Sequence, residues 1–173
     1  MARKSKQDWM NGAVQVLVAH GIEGMTLDAL TAQMGVTKGS FYHHFADMGA
    51  FRAEMLDSCL RQSTAGVFAQ VEQAGESPRA RLEALTALAA QPDPVEVAVR
   101  GWARTDPAAY AMLCDIDAQR TAYIAGVLRG LGHPEAEAER RARVYYALFI
   151  GGQHLCPPMP ADALHTALMA VAG

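Results

Sequence analysis

Apolar residues recur every three or four positions along almost the whole 173-residue chain, with glycine and proline as the breaks between runs. That period predicts helices throughout. From about Gln7 to His20, the residues Trp9, Met10, Ala13, Val14, Leu17 and Val18 form one stripe, and Gly21 ends the run. A second, shorter run follows from Thr26, an N-cap candidate, with Asp28 in the first turn where the helix dipole favours a negative charge. Leu27, Leu30 and Met34 face inward, and Gly35 stands where a left-handed residue ends a helix at little cost. Val36 plugs the turn, Thr37 is placed to cap a third helix, and Phe41 and Phe45, four apart, face the core together.

Beyond this hairpin the punctuation is regular. Asp47 opens a long helix to about Gln73, with Phe51, Met55, Leu56, Leu60, Val67, Phe68 and Val71 on its buried side. Ser77-Pro78, Asp93-Pro94 and Asp106-Pro107 each pair a capping side chain with a proline suited to the first helical position, predicting helices to about Ala89, Ala103 and Arg129. Gly132 and His133-Pro134 make the next break, before a helix from about Pro134 to Gln153. Pro157, Pro158 and Pro160 stiffen the connector to a last short helix. The expected fold is all-α: a three-helix head over residues 1–46 and a helical body over residues 47–173, joined by the long helix.

Composition supports a folded chain, with 51% hydrophobic and 19% charged residues. Three widely spaced cysteines, Cys59, Cys114 and Cys156, fit reduced thiols rather than a disulfide framework, and the N-terminus lacks a signal-peptide core. The expected location is cytoplasmic, with no membrane partner. Net charge is −3, but it is unevenly spread: residues 1–46 carry +1 and the remainder −4, and every lysine lies in the head. Arg3, Lys4 and Lys6 form a basic arm ahead of the first helix, suited either to a phosphate backbone or to simple solvation.

With Phe41 and Phe45 turned inward, the stretch 37–44 leaves a polar set outside. Thr26, Thr37 and Ser40 supply hydroxyls, Lys38 a cation, Gly39 room for close approach, and Tyr42, His43 and His44 rings with polar edges. A helix reading DNA needs such a set, whereas an ordinary hairpin with a solvated face would also display it. GVTKGSFYHHF, preceded by TLDALTAQM and an amphipathic helix, closely resembles the DNA-binding head of TetR-family transcriptional regulators. The resemblance covers about the first fifty residues, with Gly35, Val36, Tyr42 and Phe45 at the family's spacing. It implies a repressor of double-stranded operator DNA, with Thr26, Thr37, Lys38, Gly39, Ser40, Tyr42, His43 and His44 at the interface. The family commonly places a lysine directly after the cap residue of the fourth helix; here Met48 and Gly49 stand there, and Arg52 is the candidate substitute.

The body mixes large apolar groups with sparse polar ones. Trp102, Tyr110, Leu113 and Tyr123, with Asp117 and Arg120, have the composition of a small-molecule pocket, and plain core packing is the alternative. The resemblance adds that family bodies commonly bind a small organic effector. Tyr145, Leu148, Phe149, Leu164 and Leu168 in the last two helices exceed what one small body easily covers, which suggests a two-fold four-helix interface and a homodimer. Phosphate-loop, HExxH, paired CxxC and GxSxG motifs are absent, so no enzyme and no cofactor are expected. Neither the adjacent His43 and His44 nor the His154 and Cys156 pair makes a complete metal site. The competing class is a helical interaction or metal- or redox-sensing protein with weakened DNA binding.

Overall fold

In the computed structural model, which describes residues 4–173, the chain is all-helical and no strand occurs among those residues. Arg3 of the basic arm lies outside the described residues. The helices are α1 (Lys6–His20), α2 (Leu27–Met34), α3 (Lys38–Tyr42), α4 (Met48–Asp57), α5 (Ser63–Gln73), α6 (Pro78–Ala89), α7 (Pro94–Ala103), α8 (Pro107–Gly130), α9 (Glu135–His154) and α10 (Ala161–Ala172). Between α4 and α5, Ser58–Gln62 form a π-helical turn. The long helix expected from Asp47 to Gln73 is therefore present, but wound more widely at its middle.

Local chemistry sets the starts. The Ser5 hydroxyl accepts from Asp8 N–H while the Asp8 carboxylate accepts from Ser5 N–H, a capping box opening α1. Thr26, Asp47 and Ser77 accept from the backbone N–H three residues on, and Asp106 Oδ1 accepts from both Ala108 and Ala109. Each such cap contributes about 1 kcal/mol. Thr37 occupies the cap position of α3, but its side chain makes no capping hydrogen bond, which departs from the expected role.

The helices pack as two compact units. The first runs to Arg61 and takes in Pro94–Leu113. Its core holds an aromatic cluster in which Trp9, Phe45 and Phe51 meet Phe41 or one another mostly edge to face, with centroids 4.8–6.4 Å apart. Met25, Leu30 and Met55 close around it, fully buried. The face that α1 buries runs through Trp9, Ala13, Val16 and Leu17, whereas Val18 is 41% exposed. Trp9, Met10, Ala13 and Leu17 of the expected stripe are thus buried and Val14 half-buried, with Val16 in place of Val18. Gly12 explains the phase: a Cβ there would lie 3.1 Å from Met34 Cγ, so α2 sits tightly against that side of α1. Val99, Trp102 and Ala103 of α7 are also buried in this unit.

The second unit comprises Gln62–Asp93 and Cys114–Gly173. Its core joins Val71, Leu82, Leu128, Ala138, Tyr145, Leu164 and Leu168. The α9–α10 contact is close because Gly152 has no side chain; a Cβ would come within 2.8 Å of Leu164 Cδ1. Polar groups inside are satisfied in pairs: Tyr145 Oη and Thr86 Oγ1 lie 2.8 Å apart, and Gln153 donates to Gln91 O while accepting from Asp93 N–H. Arg141 Nη1 donates to Val171 O and His133 Nε2 to Ala172 O, covering carbonyls at the end of α10.

Candidate nucleic-acid interface

The turn between α2 and α3 is tight for the reason its residues suggest. Gly35 takes φ 64°, ψ 39°, and its N–H and that of Val36 return to carbonyls of α2. One buried side chain, Phe41, anchors α3, and the next turn continues to Phe45 through its N–H bond to Phe41 O. What remains faces outward. Thr26, Thr37, Lys38, Gly39, Tyr42 and His43 are exposed, and Ser40 and His44 are half-buried. Tyr42 stands 59% exposed with its ring edge-on to Phe41 at 5.4 Å.

Members of this set have partners within the protein. Lys38 Nζ lies 2.6 Å from Asp28 Oδ1 at the start of α2, and that hydrogen bond, with the attraction behind it, raises the lysine pKa above its ordinary value. Thr26 is engaged as a cap. His44 Nε2 lies 2.8 Å from Lys4 O, and because a carbonyl only accepts, Nε2 is the donor. The His43 and His44 rings meet edge-on at 5.1 Å.

Gly39 stands apart. Among the described residues, a Cβ at this position would meet only Thr37 Oγ1, at 3.8 Å. No packing contact calls for a glycine here, and glycine within a helix costs up to about 1 kcal/mol relative to alanine.

Arg52, the expected substitute for the missing lysine, is committed inward. Its Nη2 donates to Met25 O at 3.0 Å, closing the head beneath the α1–α2 turn. Two further contacts of the head carry no sequence signal. Lys6 Nζ lies 2.5 Å from Glu54 Oε2 and sits over the Phe45 ring at 5.4 Å, and Asp28 reaches Lys38 ten residues away across the turn.

The six residues named for an organic ligand are distributed between the units. In the first, Trp102 is core, its Nε1 donating to Asp106 Oδ2 at 3.0 Å. That bond and the N–H groups of α8 hold the Asp106 carboxyl below its usual range, the N–H of Ala109 contributing most. Tyr110, 61% exposed, and Leu113 line an open cleft of about 630 Å³ with Arg100, Arg104 and Pro107. In the second unit, Asp117 and Arg120 meet through Tyr146: its Oη donates to Asp117 Oδ1 at 2.7 Å and accepts from Arg120 Nη1 at 3.3 Å, while Arg120 Nε donates to buried Thr64 at 2.9 Å. Tyr123 stacks on Phe68 at 4.0 Å, donates to Glu72 at 2.7 Å and lines a smaller cavity of about 310 Å³. Tyr146 and Thr64, absent from the expected set, are brought in only by the packing of α9 and α5 on α8.

The expected apolar patch of the last two helices is corrected. Tyr145, Leu164 and Leu168 are at most 1% exposed, and Leu148 and Phe149 are half-buried against the same core. The exposed stripe of α9 is Val144, Ala147 and Gly151, continued by Leu155 just past its end. In α10, Ala163, Thr166 and Ala170 are exposed at the same helical spacing.

Comparison with known proteins places this head. Residues 10–55 match the family model described as bacterial regulatory proteins, tetR family. A 44-residue segment is 39% identical to an uncharacterized HTH-type transcriptional regulator, TtgW, of Pseudomonas putida; the match spans 25% of this chain and about a third of that protein, 33%. Over its whole length the fold is similar to a transcriptional regulator from Rhodococcus sp. RHA1 (TM-score 0.73, 23% identity, 98% of this chain and 95% of that one). It is likewise similar to Escherichia coli NemR in its reduced form (TM-score 0.77, 20% identity, 94% and 93%). No helix among the described residues is long and apolar enough to cross a membrane. Residues 10–55 therefore carry the DNA-binding head of the tetR family model, on a chain whose whole fold is similar to that of solved transcriptional regulators.

Proposed function

We propose that the chain is a DNA-binding repressor whose head, residues 1–46, reads operator DNA and whose body, residues 47–173, dimerises and takes a small organic effector. The observation that carries the reading is the outer face of α3. Lys38, Gly39, Tyr42 and His43 are exposed together on a helix pinned from behind by Phe41, and the glycine among them answers to no packing need. A cation and hydroxyls position a helix on phosphates, and ring edges and a bare backbone suit base edges.

The exposed stripes of α9 and α10 support a two-fold four-helix contact, since alanine, glycine and threonine allow close approach of a second copy. Paired heads then face half-sites about 34–36 Å apart, one helical turn of DNA. For the effector, the Asp117–Tyr146–Arg120 chain of hydrogen bonds offers the sparse orienting polar groups that a small-molecule site needs. An effector favouring a form with mis-set heads by about 1–3 kcal/mol would weaken operator binding some 5–150-fold.

The test is a fluorescence-anisotropy titration of the full chain against the DNA upstream of its own gene. Specific binding that falls when Lys38→Ala or Tyr42→Ala is introduced supports the reading. Equal binding by parent and both variants sinks it, and so does a parent that shows no preference for that DNA over a scrambled duplex. Reciprocity tests induction: a ligand that raises the melting temperature must bind more weakly when operator is saturating.

A further inference from the structure

The geometry points to the open cleft at the α7–α8 corner as a binding site for a small aromatic carboxylate. The proposal rests on the effector reading above and deepens it, by choosing one place and naming the ligand's charge and shape.

The cleft, of about 630 Å³, is lined only by residues of the unit that contains the head. That volume suits a small organic molecule. Its two elements contribute different chemistry. Pro107, Tyr110 and Leu113 recur every third position along the start of α8 and supply an apolar wall, with the Tyr110 side chain 61% exposed. Arg100, Ala103 and Arg104 come from the last turn of α7 and the residue just past it, and bring the cations.

The charge balance of the lining selects the ligand. Arg100 is committed: its Nε and Nη2 lie 2.8 and 2.7 Å from Oε1 of buried Glu96. Asp106, the acid of the lining, is answered within the protein. Its Oδ1 accepts from Ala108 and Ala109 N–H and its Oδ2 from Trp102 Nε1. Arg104 differs from both, being exposed and without an ion pair among the described residues. A guanidinium offers parallel N–H groups that match the two oxygens of a carboxylate, and an exposed ring and a leucine close by suit an aromatic body.

The lining also connects to the head. Asp106 holds buried Trp102 and is attracted by Arg52, whose Nη2 donates to Met25 O immediately before the Thr26 cap of α2. A ligand that shifts the α7–α8 corner therefore reaches the hairpin through contacts inside one unit.

The test is equilibrium dialysis of the full chain, at neutral pH and low salt, against β-naphthoate and its neutral counterpart β-naphthamide. Naphthoate should bind at micromolar to sub-millimolar concentration, and naphthamide about ten-fold more weakly, the loss expected for a charge-assisted hydrogen bond. Arg104→Gln should weaken naphthoate by about the same factor and leave naphthamide unchanged, and Arg104→Lys should recover part of the loss. Tyr110→Ala should weaken both compounds. Arg143→Gln removes the same charge from an exposed site on α9 and should change neither. Arg104 and Tyr110 are both exposed, so their variants should melt with the parent, which reports an intact fold. A parent that binds no naphthoate at millimolar concentration overturns the proposal. So does naphthoate binding that Arg104→Gln and Tyr110→Ala leave intact; the acid is then held elsewhere in the body, and the effector reading survives. Naphthoate bound through Arg104 that leaves operator affinity unchanged upholds the site and counts against the effector reading instead.

Discussion

Asp28 holds Lys38. The carboxylate of the first turn of α2 lies 2.6 Å from the ammonium of the first turn of α3, bracing the two helices across the Gly35 turn. A lysine that is to meet a phosphate must exchange one anion for another. Both side chains are well exposed, so the pair contributes little to stability, in keeping with surface ion pairs generally. Its effect is on availability.

Asp28→Asn is accordingly predicted to bind operator more tightly, by up to about five-fold at low salt, the modest effect expected from releasing one exposed ion pair. The gain should shrink as salt rises and screens the competing carboxylate. Anisotropy titrations at two ionic strengths check this. An Asp28→Asn protein that binds no better at either would show that Lys38 is not the cation phosphate meets.

Gly39 yields a prediction in which stability and binding move in opposite directions. Alanine at 39 has room, since its Cβ would meet only Thr37 Oγ1 at 3.8 Å among the described residues. Gly39→Ala should therefore raise stability by up to about 1 kcal/mol. The same methyl group stands where a groove wall would approach, so operator affinity should fall. Thermal melts and titrations on one preparation read both. A variant that is more stable and binds as well as the parent would mean that no duplex comes close to this backbone.

The head was the more legible part of the chain because its signals are local. Thr26, Gly35, Asp47 and Phe41 each act within a turn or two of their own position, and capping, left-handed termination and four-residue spacing are visible in one dimension. The phase of α1 was misread at Val16 and Val18 because two valines two apart carry the same hydrophobicity, and only the tight seat of Met34 on Gly12 decides between them. Contacts between distant charges were invisible for a different reason. Asp28 with Lys38, Lys6 with Glu54 and His44 with the Lys4 carbonyl have no period, so the side chains judged available on the outer face were partly engaged. In the body, Tyr145, Leu164 and Leu168 were read as a surface surplus because hydrophobicity along a helix shows how much is buried, not whether the partner is the same chain. The π turn at Ser58–Gln62 had no marker either, since its residues are acceptable in an ordinary helix.

For assembly, the exposed stripe moves the useful substitutions. Ala147→Arg and Gly151→Arg place a large cation on an exposed face without touching the core of the protomer. Sedimentation velocity should show the parent as a dimer at micromolar concentration and both variants as folded monomers with weaker operator binding. Leu148→Glu, by contrast, would also injure the protomer, because Leu148 packs on the core beneath α9. Dimers that persist in both arginine variants would place the contact elsewhere.

Tyr145 gives a pH test of the body, independent of DNA. Its ring is 1% exposed and its hydroxyl lies 2.8 Å from Thr86 Oγ1, so burial pushes its pKa from 10.0 up to about 12, against a smaller downward pull from Thr86. A group whose folded pKa is raised contributes stability that is fully present below its unfolded value and is lost as pH climbs toward the folded one. The window is therefore about pH 10 to 12, and the contribution is on the order of 2–3 kcal/mol. Tyr145→Phe removes the ionisable group but leaves the buried Thr86 hydroxyl without its partner, which costs about 1–3 kcal/mol at neutral pH. The variant should thus be less stable than the parent at pH 7 and lose less between pH 10 and 12, so that the two denaturation curves converge on the alkaline side. Tyr123 titrates in the same direction, raised by burial and by its bond to Glu72, and keeps part of the alkaline limb in the variant. Denaturant midpoints at pH 7, 10 and 11.5 decide the matter: parallel loss in parent and variant would show that the Tyr145 hydroxyl is not protected in the folded body.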